Sequence, residues 1–267
     1  MNKKIGFIGA GKMAQAMIEG ILKNNQISRE NIMVSAATDK TIDKIKTNYQ
    51  LAATKDNQEV ARFSNILFLA VKPDLHSKLI AEIKNDIKHE VIIITIAAGI
   101  TLDDIERNFG YKIKSVRTMP NTPSLVGEGM SAICPNDSMT EDEIKEIENL
   151  FHTFGKTERM DEKLMDAIPA ISGSSPAYVY MFIEALADGG VIQGIPRDKA
   201  YRLAAQAVLG AAKMVLETGI HPGQLKDNVC TPGGATIEAV AALEKMQFRG
   251  SILSAMESCT EKVKSLK

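Results

Sequence analysis

The sequence of 267 residues predicts two domains, a doubly wound α/β domain over residues 1–160 and an all-α domain over residues 161–267. In the first part, short β-rich runs alternate with helical stretches, which is typical of a doubly wound sheet. After residues 158–163 the strand signals end, and Ala, Leu and Met dominate. Hydrophobic residues make up 45% and charged residues 24% of the chain, which is typical of folded globular proteins and not of disordered chains.

Six short apolar runs are the predicted strands of the first domain. Several are apolar at consecutive positions, which indicates strands covered on both faces of a parallel sheet. Gly, Pro or polar turn residues bound each run. The predicted strands lie at residues 5–8, 32–35, 66–71, 91–96, 114–118 and 131–134.

Helices are predicted between these strands and throughout the second domain. At residues 140–154 the apolar side chains share one helical face, and Thr140 with Glu143 forms a capping-box pattern at its start. Gly and Pro separate the helices of the second domain. The predicted helices lie at residues 13–22, 75–87, 140–154, 176–193, 197–217, 236–245 and 251–265.

The helix predicted at residues 197–217 is apolar almost all the way round between Leu203 and Leu216. Only Gln206 and Lys213 are polar in that stretch. A domain of about one hundred residues cannot bury such a helix on every side. We therefore expect a second copy of the chain to cover part of it, which makes the protein a homo-oligomer.

Charge and cysteine content exclude several classes of protein. The 32 Lys and Arg against 33 Asp and Glu leave a formal charge of −1, so we expect no nucleic-acid partner and no membrane partner. The three widely spaced cysteines predict neither a disulfide framework nor a metal site. The N-terminus lacks the apolar segment of a signal peptide, and the longest apolar stretch, residues 91–100, is about half a membrane span. We therefore expect a cytoplasmic protein.

A glycine-rich motif follows the first predicted strand and opens a predicted helix. Gly9 permits a tight turn, Gly11 lets the backbone approach a pyrophosphate, and Ala14 allows close packing of helix on strand. The helix N-terminus offers unpaired N–H groups and a partial positive charge to phosphate. The motif predicts a Rossmann-type dinucleotide site, whose residues at this turn are Ile8, Gly9, Ala10, Gly11, Lys12, Met13 and Ala14.

The end of the second strand bears on the choice between NADP and NAD. An acidic residue there would hydrogen-bond the ribose 2′-hydroxyl of NAD and repel a 2′-phosphate. Ser35 and Thr38 offer hydroxyls and Lys40 offers a positive charge, which favours NADP. Asp39 keeps NAD open as the alternative, because a small loop shift would bring its carboxylate to the ribose.

Motifs in both predicted domains resemble those of pyrroline-5-carboxylate reductase. The segment GQLKDNVCTPGGAT at residues 223–236 is similar to that family's signature. Any one motif is weak evidence, but together and in this order they are specific. Besides the GxGxMA turn, they are AVKP at 70–73, AAG at 97–99, MPNTP at 119–123, SGSSPAY at 172–178 and ADGG at 187–190.

The resemblance implies reduction of (S)-1-pyrroline-5-carboxylate to L-proline with NADPH or NADH, the last step of proline biosynthesis. It also implies that the helical domain is a dimerisation domain, with a decamer as one larger assembly of such dimers. Ser175 replaces the family's usual glycine, which implies a slightly tighter pocket. The further cofactor-binding residues that the resemblance implies are Ser35, Asn57, Ala70, Val71, Lys72, Pro73, Ala97, Ala98 and Asn228.

The loop at residues 231–236 offers what reduction of a cyclic imine requires. Its small residues leave the N–H groups of Gly233, Gly234 and Ala235 accessible at a helix start, where they would bind the substrate carboxylate. The Thr236 hydroxyl would hydrogen-bond the ring nitrogen, which makes Thr236 the candidate catalytic residue. Because an imine protonates readily, the substrate can arrive as an iminium and needs no strong general acid.

Two other functions stay open on the residues alone. One is an NADP-dependent reductase of a different imine or of a 3-hydroxy acid, for which Lys163 lies near the place of a general base. The neighbouring motif of those enzymes is absent from the sequence. The other is a nicotinamide-binding redox sensor without turnover, against which the intact 231–236 loop argues. No catalytic function is predicted for His76, His89, His152 or His221, the last being expected in a loop or cap.

Overall fold

A computed structural model describes residues 3–25 and 27–265 of the chain. The described residues up to Ser174, together with those from Cys259 onward, form one compact unit, which we call the sheet unit. Ser175–Ser258 form a second, which we call the helical unit. The structure thus changes from one unit to the other after Ser174, and the domain boundary at residue 160 stays a prediction.

The described strands of the sheet unit form one eight-stranded sheet. They are β1 Ile5–Ile8, β2 Ile32–Ser35, β3 Ala52–Thr54, β4 Ile66–Leu69, β5 Ile92–Thr95, β6 Lys114–Met119, β7 Gly129–Pro135 and β8 Gly155–Arg159. Their order is β3-β2-β1-β4-β5-β6-β7-β8. The first six run parallel, β7 is antiparallel to β6, and β8 is parallel to β7. The winding reverses between β1 and β4, which leaves a crevice at the carboxyl ends of these two strands.

Helices connect the strands of the sheet unit. They are α1 Lys12–Asn24, α2 Asp39–Tyr49, α3 Asn57–Phe63, α4 His76–Ile83, α5 Leu102–Phe109 and α6 Glu141–Phe151. The predicted capping box at α6 is confirmed, because Thr140 Oγ1 accepts from Glu143 N at 3.3 Å and Glu143 Oε2 accepts from Thr140 N at 3.0 Å.

The core of the sheet unit lies against its central strands. β1, β4 and β5 are buried at every position, as their consecutive apolar residues predict. The rings of Phe7 and Phe68 stack with centroids 4.5 Å apart on one face of the sheet. The segment after β8 also packs on this unit, because buried Arg117 pairs with Asp166 at 2.6 Å.

The helical unit consists of α7 Ser175–Ile192, α8 Arg197–Thr218, α9 Pro222–Val229, α10 Ala235–Lys245 and the first part of α11, Phe248–Lys264. Its buried apolar side chains are small, namely Ala187, Ala200 and Ala204. Large apolar side chains of α8 are exposed instead, with Leu203 at 62% and Leu216 at 82%. In the part of the chain that the structure describes, no helix has the length and apolar character that a membrane crossing requires.

The predicted strands and helices are present, with ends that shift by a few residues. The prediction of parallel strands holds for β1–β6, whereas β7 runs antiparallel. The sequence reading misses six elements, which are β3, β8, α2, α3, α5 and α9.

Candidate functional site

A cleft of about 800 Å³ opens at the carboxyl ends of β1, β2 and β4 in the sheet unit. It lies where the winding of the sheet reverses, which is where doubly wound sheets bind their ligands. Nine of the predicted cofactor residues line this cleft and are therefore brought together by the fold. They are Ile8, Gly9, Ala10, Gly11, Ser35, Asn57, Ala70, Val71 and Lys72.

The glycine-rich turn has the backbone geometry that a pyrophosphate site requires. Gly9 has φ of +99°, and a Cβ there would lie 2.5 Å from the carbonyl oxygen of Ala70, so only glycine fits. Gly11 caps α1 without a side-chain hydrogen bond, and a Cβ at Gly11 would meet no atom within 4 Å. The N–H groups at the start of α1 therefore adjoin open space, which fits a dinucleotide phosphate.

The other residues of the motif support this turn from outside the cleft. Ala14 is 1% exposed and packs in the core below α1, as close packing of helix on strand requires. Met13 is half-buried against the same core, and Lys12 is exposed. None of these three lines the cleft, so their predicted cofactor contacts remain predictions.

Ser35 and Asn57 lie together in the cleft, linked by side-chain hydrogen bonds. The Ser35 hydroxyl donates to Asn57 Oδ1 at 2.7 Å. Asn57 Nδ2 lies 3.2 Å from both carboxylate oxygens of Glu82 on α4 and donates to them. These hydrogen bonds from Ser35 through Asn57 to Glu82 fix the orientation of the Asn57 amide in the cleft.

The lysine that lies in the cleft near the end of β2 is Lys55, whereas the sequence predicted Lys40. Lys40 is exposed and does not line the cleft, because the first turn of α2 places Thr41 there instead. Lys55 lines the cleft and pairs with Asp39 at 2.7 Å. The carboxylate of Asp39, which keeps NAD as the alternative cofactor, is therefore held in an ion pair. The Thr38 hydroxyl accepts from Thr41 N and caps α2.

The remaining predicted residues of the sheet unit lie beside the cleft without lining it. Pro73 begins a 3₁₀ turn at Pro73–Leu75. Ala97 and Ala98 follow β5, the neighbour of β4 in the sheet, and Ala97 N donates to Thr95 Oγ1 at 3.3 Å. Their places at the same edge of the sheet agree with the resemblance, and their cofactor contacts remain predictions.

Several residues that line the cleft were not predicted from the sequence. Lys55 follows β3, a strand too short to be recognised. Thr41 lies on α2, which was not recognised either. The other missed residues lie on or beside α4 at helical spacing, a signal from which one helix face could have been predicted. They are Asp74, Leu75, Lys78, Leu79 and Glu82.

The predicted substrate loop of the helical unit, residues 231–236, leads into α10, whose N-cap is also a glycine. Gly233 has φ of +69°, and Gly234 caps α10 without a side-chain hydrogen bond. A Cβ at Gly234 would lie 2.3 Å from Thr231 Oγ1 and 3.1 Å from the Thr231 carbonyl oxygen, so a side chain there would displace the Thr231 hydroxyl. Ala235 begins α10, and half-buried Thr236 follows in its first turn. The turn thus leaves N–H groups at the start of α10 for an anion.

The helix that precedes this loop carries the remaining predicted residues. Asn228 is exposed near the end of α9. His221 caps the start of α9, because its Nδ1 accepts from Gly223 N at 3.1 Å. This confirms the cap that the sequence predicts for His221. Among residues 3–25 and 27–265, no group of three or more His, Cys, Asp or Glu side chains is placed to hold a metal ion.

Two family models match the chain, one in each part. The model described as pyrroline-5-carboxylate reductase dimerisation matches residues 162–266. The model described as NADP oxidoreductase, coenzyme F420-dependent, matches residues 4–99. A pyrroline-5-carboxylate reductase of Escherichia coli is 45% identical over 266 residues, which cover 100% of this chain and 99% of that protein.

The chain belongs to the pyrroline-5-carboxylate reductase family. The family's enzyme from Methanosarcina acetivorans is 41% identical over 99% of this chain and 98% of its own length. A crystal structure of a Plasmodium falciparum pyrroline carboxylate reductase with NADP bound has a TM-score of 0.90 and 36% identity, covering 99% of this chain and 98% of that one. A Coxiella burnetii pyrroline-5-carboxylate reductase also has a TM-score of 0.90, with 31% identity, covering 100% and 99% of the two chains.

Proposed function

We propose that this chain reduces (S)-1-pyrroline-5-carboxylate to L-proline with NADPH, the last step of proline biosynthesis. The observation that carries the proposal is the 45% identity to the Escherichia coli reductase over the whole chain. The two glycine-capped helix starts, at Gly11 and Gly234, support it because each offers N–H groups to an anion. A dinucleotide pyrophosphate and a substrate carboxylate are both anions, so binding the two together needs two such sites.

The sheet unit binds the cofactor in this proposal. NADPH supplies the hydride. The N–H groups at the start of α1, from Gly11 onward, bind its pyrophosphate, whereas Gly9 N donates to the Ser35 carbonyl at 3.0 Å. The Ser35–Asn57 pair lies at the adenosine side. The backbone of Ala70, Val71 and Lys72 forms the wall that continues toward the nicotinamide.

The helical unit binds the substrate. The N–H groups of Gly233 and Ala235 hold the carboxylate, whereas Gly234 N donates to the Thr231 carbonyl at 3.0 Å. The Thr236 hydroxyl oxygen accepts a hydrogen bond from the protonated ring nitrogen. Asn228 lies on the preceding helix, in the place where the family has an asparagine near the nicotinamide.

Electron and proton balance requires little acid chemistry from the chain. The substrate enters as the protonated imine, so hydride adds to the ring carbon of C=N⁺ and the π electrons pass to nitrogen. Nitrogen becomes a neutral amine that takes up a proton from solvent. Thr236 orients the nitrogen through a hydrogen bond, which explains why no His–Asp pair is needed at this loop.

The charges of the cleft favour NADP over NAD. Lys55 lies in the cleft near Thr38 and Thr41, and it neutralises Asp39. A 2′-phosphate therefore meets a lysine, two hydroxyls and no free carboxylate at the end of β2. NADH is the second cofactor that the same cleft accepts, with lower preference.

The helical unit is also the proposed dimer interface. The match to a dimerisation family covers residues 162–266, and α8 exposes Leu203, Leu209 and Leu216. Burying such side chains contributes about 1.5–3 kcal/mol each. We place the dimer in the cytoplasm and expect a decamer as its larger assembly.

An assay of the purified protein with pyrroline-5-carboxylate tests the function. We expect NADPH oxidation that depends on this substrate, with L-proline formed in equal amount. A matched control is Lys163→Ala, because Lys163 is exposed and pairs with Asp161 at 3.2 Å. The proposal predicts unchanged turnover for that variant. Loss of activity in Lys163→Ala, or turnover only with a hydroxy acid, would favour the other reductase class; cofactor binding without turnover of either compound would favour a sensor.

A further inference from the structure

The nucleotide cleft has a buried histidine beside it that the predicted site does not include. His76 begins α4, directly after the turn at residues 72–75 that borders the cleft, and it is 1% exposed. Both of its ring nitrogens have hydrogen-bond partners. Nδ1 lies 3.1 Å from the carbonyl oxygen of Lys72, and Nε2 lies 3.1 Å from Thr95 Oγ1.

The partners of His76 determine where each proton lies. A carbonyl oxygen only accepts, so His76 Nδ1 carries the hydrogen and donates to Lys72 O. In the neutral ring Nε2 is then an acceptor, and the Thr95 hydroxyl donates to it. Thr95 Oγ1 in turn accepts from Ala97 N at 3.3 Å. A single directed chain therefore runs from Ala97 through Thr95 and His76 to Lys72.

This chain connects two backbone segments at the sheet edge. Lys72 belongs to the segment after β4 that lines the cleft, and Ala97 belongs to the segment after β5. Thr118 Oγ1 also donates to Thr95 O at 2.9 Å, so the Thr95 end is anchored to β6. We infer that His76 is a positioning residue, which sets the spacing of the segments at 70–73 and 97–98, whose cofactor contacts the resemblance implies. This inference rests on the proposed function, which assigns residues 70–72 to the cofactor.

Burial keeps the His76 ring in the neutral form that the hydrogen bonds from Ala97 to Lys72 require. Desolvation lowers the pKa of His76 below its usual range, although the Lys72 carbonyl and the Asp74 carboxylate act in the opposite direction. The ring is therefore neutral at physiological pH. A second proton on His76 Nε2 would point at the Thr95 hydroxyl, which donates to this nitrogen, so the His76–Thr95 hydrogen bond would have to reverse its direction.

Direct binding measurements on the full-length protein test the inference. His76→Asn retains a side-chain N–H near the place of Nδ1 and removes the link to Thr95, so it breaks only the bridge. Thr95→Val removes the same link from the other side together with the acceptor of Ala97 N, and Thr95→Ser restores both hydrogen bonds. The matched control is His152→Asn, because His152 Nε2 makes a similar bond to Thr157 Oγ1 at 2.9 Å on the surface between α6 and β8.

Fluorescence titration should give a Kd for NADPH that rises about three- to tenfold in His76→Asn and Thr95→Val, the usual effect of one buried hydrogen bond. Thr95→Ser and His152→Asn should keep the wild-type Kd, and the KM for pyrroline-5-carboxylate should change in none of the four. If His76→Asn does not fold, the Thr95→Val and Thr95→Ser pair gives the same comparison.

Three outcomes would overturn the inference about His76, the proposed function, or both. Lower thermal stability with an unchanged Kd for NADPH in both His76→Asn and Thr95→Val would show a purely structural role and overturn the inference. Wild-type protein that binds NADPH but reduces no pyrroline-5-carboxylate would overturn the proposed function alone. Wild-type protein that binds no NADPH would overturn both.

Discussion

The sheet unit and the helical unit bury apolar side chains in different ways. In the sheet unit the central strands are buried at every position, and large rings such as Phe7 and Phe68 stack within the core. In the helical unit the buried apolar side chains are alanines, while Leu203 and Leu216 on α8 are exposed. The sheet unit therefore has a core of its own. The helical unit has an apolar surface that needs a second copy of the chain.

The two units agree in how they prepare an anion site. Gly11 caps α1 and Gly234 caps α10, and neither helix start is closed by a side-chain hydrogen bond. At α2, α3, α5 and α6 a Thr or Asp side chain takes that place, as Thr140 does at α6, whereas α4 and α8 begin at Leu75 and Pro196 without a side-chain cap. A glycine at the cap position, and not a missing side-chain cap alone, is therefore what the two proposed binding turns share.

The largest expected effect comes from a charge placed on the exposed apolar face of α8. Leu209→Asp places a carboxylate in the apolar face of α8, and we expect it to weaken dimerisation by about 3–5 kcal/mol, because a buried unpaired charge is strongly unfavourable. Sedimentation velocity measures the shift toward monomer. Val126→Asp is the control, since Val126 is an exposed apolar residue of the sheet unit. Equal dissociation of both variants, or of neither, would place the interface elsewhere.

The glycine turn of the sheet unit should respond next most strongly. Gly9→Ala forces a Cβ toward the Ala70 carbonyl at positive φ, so NADPH affinity should fall by about 2–4 kcal/mol. The matched control is Gly110→Ala, which has φ of +82° but no atom within 4 Å of an added Cβ. Calorimetric titration should show wild-type NADPH affinity for Gly110→Ala. Similar losses in both variants would mean that strain alone, and not the cleft, is responsible.

The corresponding change in the helical unit should affect turnover and leave cofactor binding intact. Thr236→Ala removes the hydroxyl proposed to bond the ring nitrogen, so kcat/KM for pyrroline-5-carboxylate should fall by about 1–3 kcal/mol in transition-state stabilisation. Thr236→Ser keeps the hydroxyl and should retain most activity. Steady-state kinetics with a parallel NADPH titration separates the two effects. Unchanged kinetic constants would remove Thr236 from the site, and a much larger loss would make it an essential acid.

A smaller effect should refine the cofactor preference of the sheet unit. Lys55→Ala removes the lysine that pairs with Asp39 beside the end of β2 and frees that carboxylate, so NADPH should lose about 1 kcal/mol more affinity than NADH. Lys40→Ala should change neither affinity. Measured Kd values for both cofactors test this difference. Equal losses for NADPH and NADH in Lys55→Ala would show that the discriminating contact lies elsewhere.

The smallest expected effect is a pH dependence of stability from His76. The folded state lowers the pKa of this ring, so the unfolded chain takes up a proton at higher pH than the folded one does. The stabilisation from neutral His76 is therefore complete above the usual histidine pKa and is lost as pH falls through the lowered value. Urea unfolding across this acidic range should show a steeper decline for wild type than for His76→Asn. Parallel declines would show that His76 does not titrate in this way.

The central part of the sheet unit was predictable because its strands are apolar at every position. β1 and the GxGxxA turn follow each other directly, so local sequence was sufficient there. β3 and β8 were missed because they are edge strands with few buried residues, and α2 was missed because only Ile42 and Ile45 are buried on it. The antiparallel direction of β7 depends on tertiary packing, which an apolar run does not encode.

The site was predictable to a similar degree. Motif residues that follow β1, β2 and β4 lie at one cleft, because the carboxyl ends of parallel strands meet at one edge. Lys55 lines the cleft and Lys40 does not, and Lys55 had no signal because it follows the unrecognised β3. Partners from distant elements, such as Glu82 for Asn57 or Thr95 for His76, have no local signal at all.

The dependence of unfolding on protein concentration tests the contrast between the two units most directly. If a second copy covers α8, dissociation accompanies unfolding, and the urea midpoint of wild-type protein should rise as concentration increases over about two orders of magnitude. Sedimentation at each concentration, with helicity measured in parallel, shows which species is present. A midpoint independent of concentration, with a fully helical and folded monomer at the lowest concentration, would contradict the claim that the helical unit depends on a partner copy.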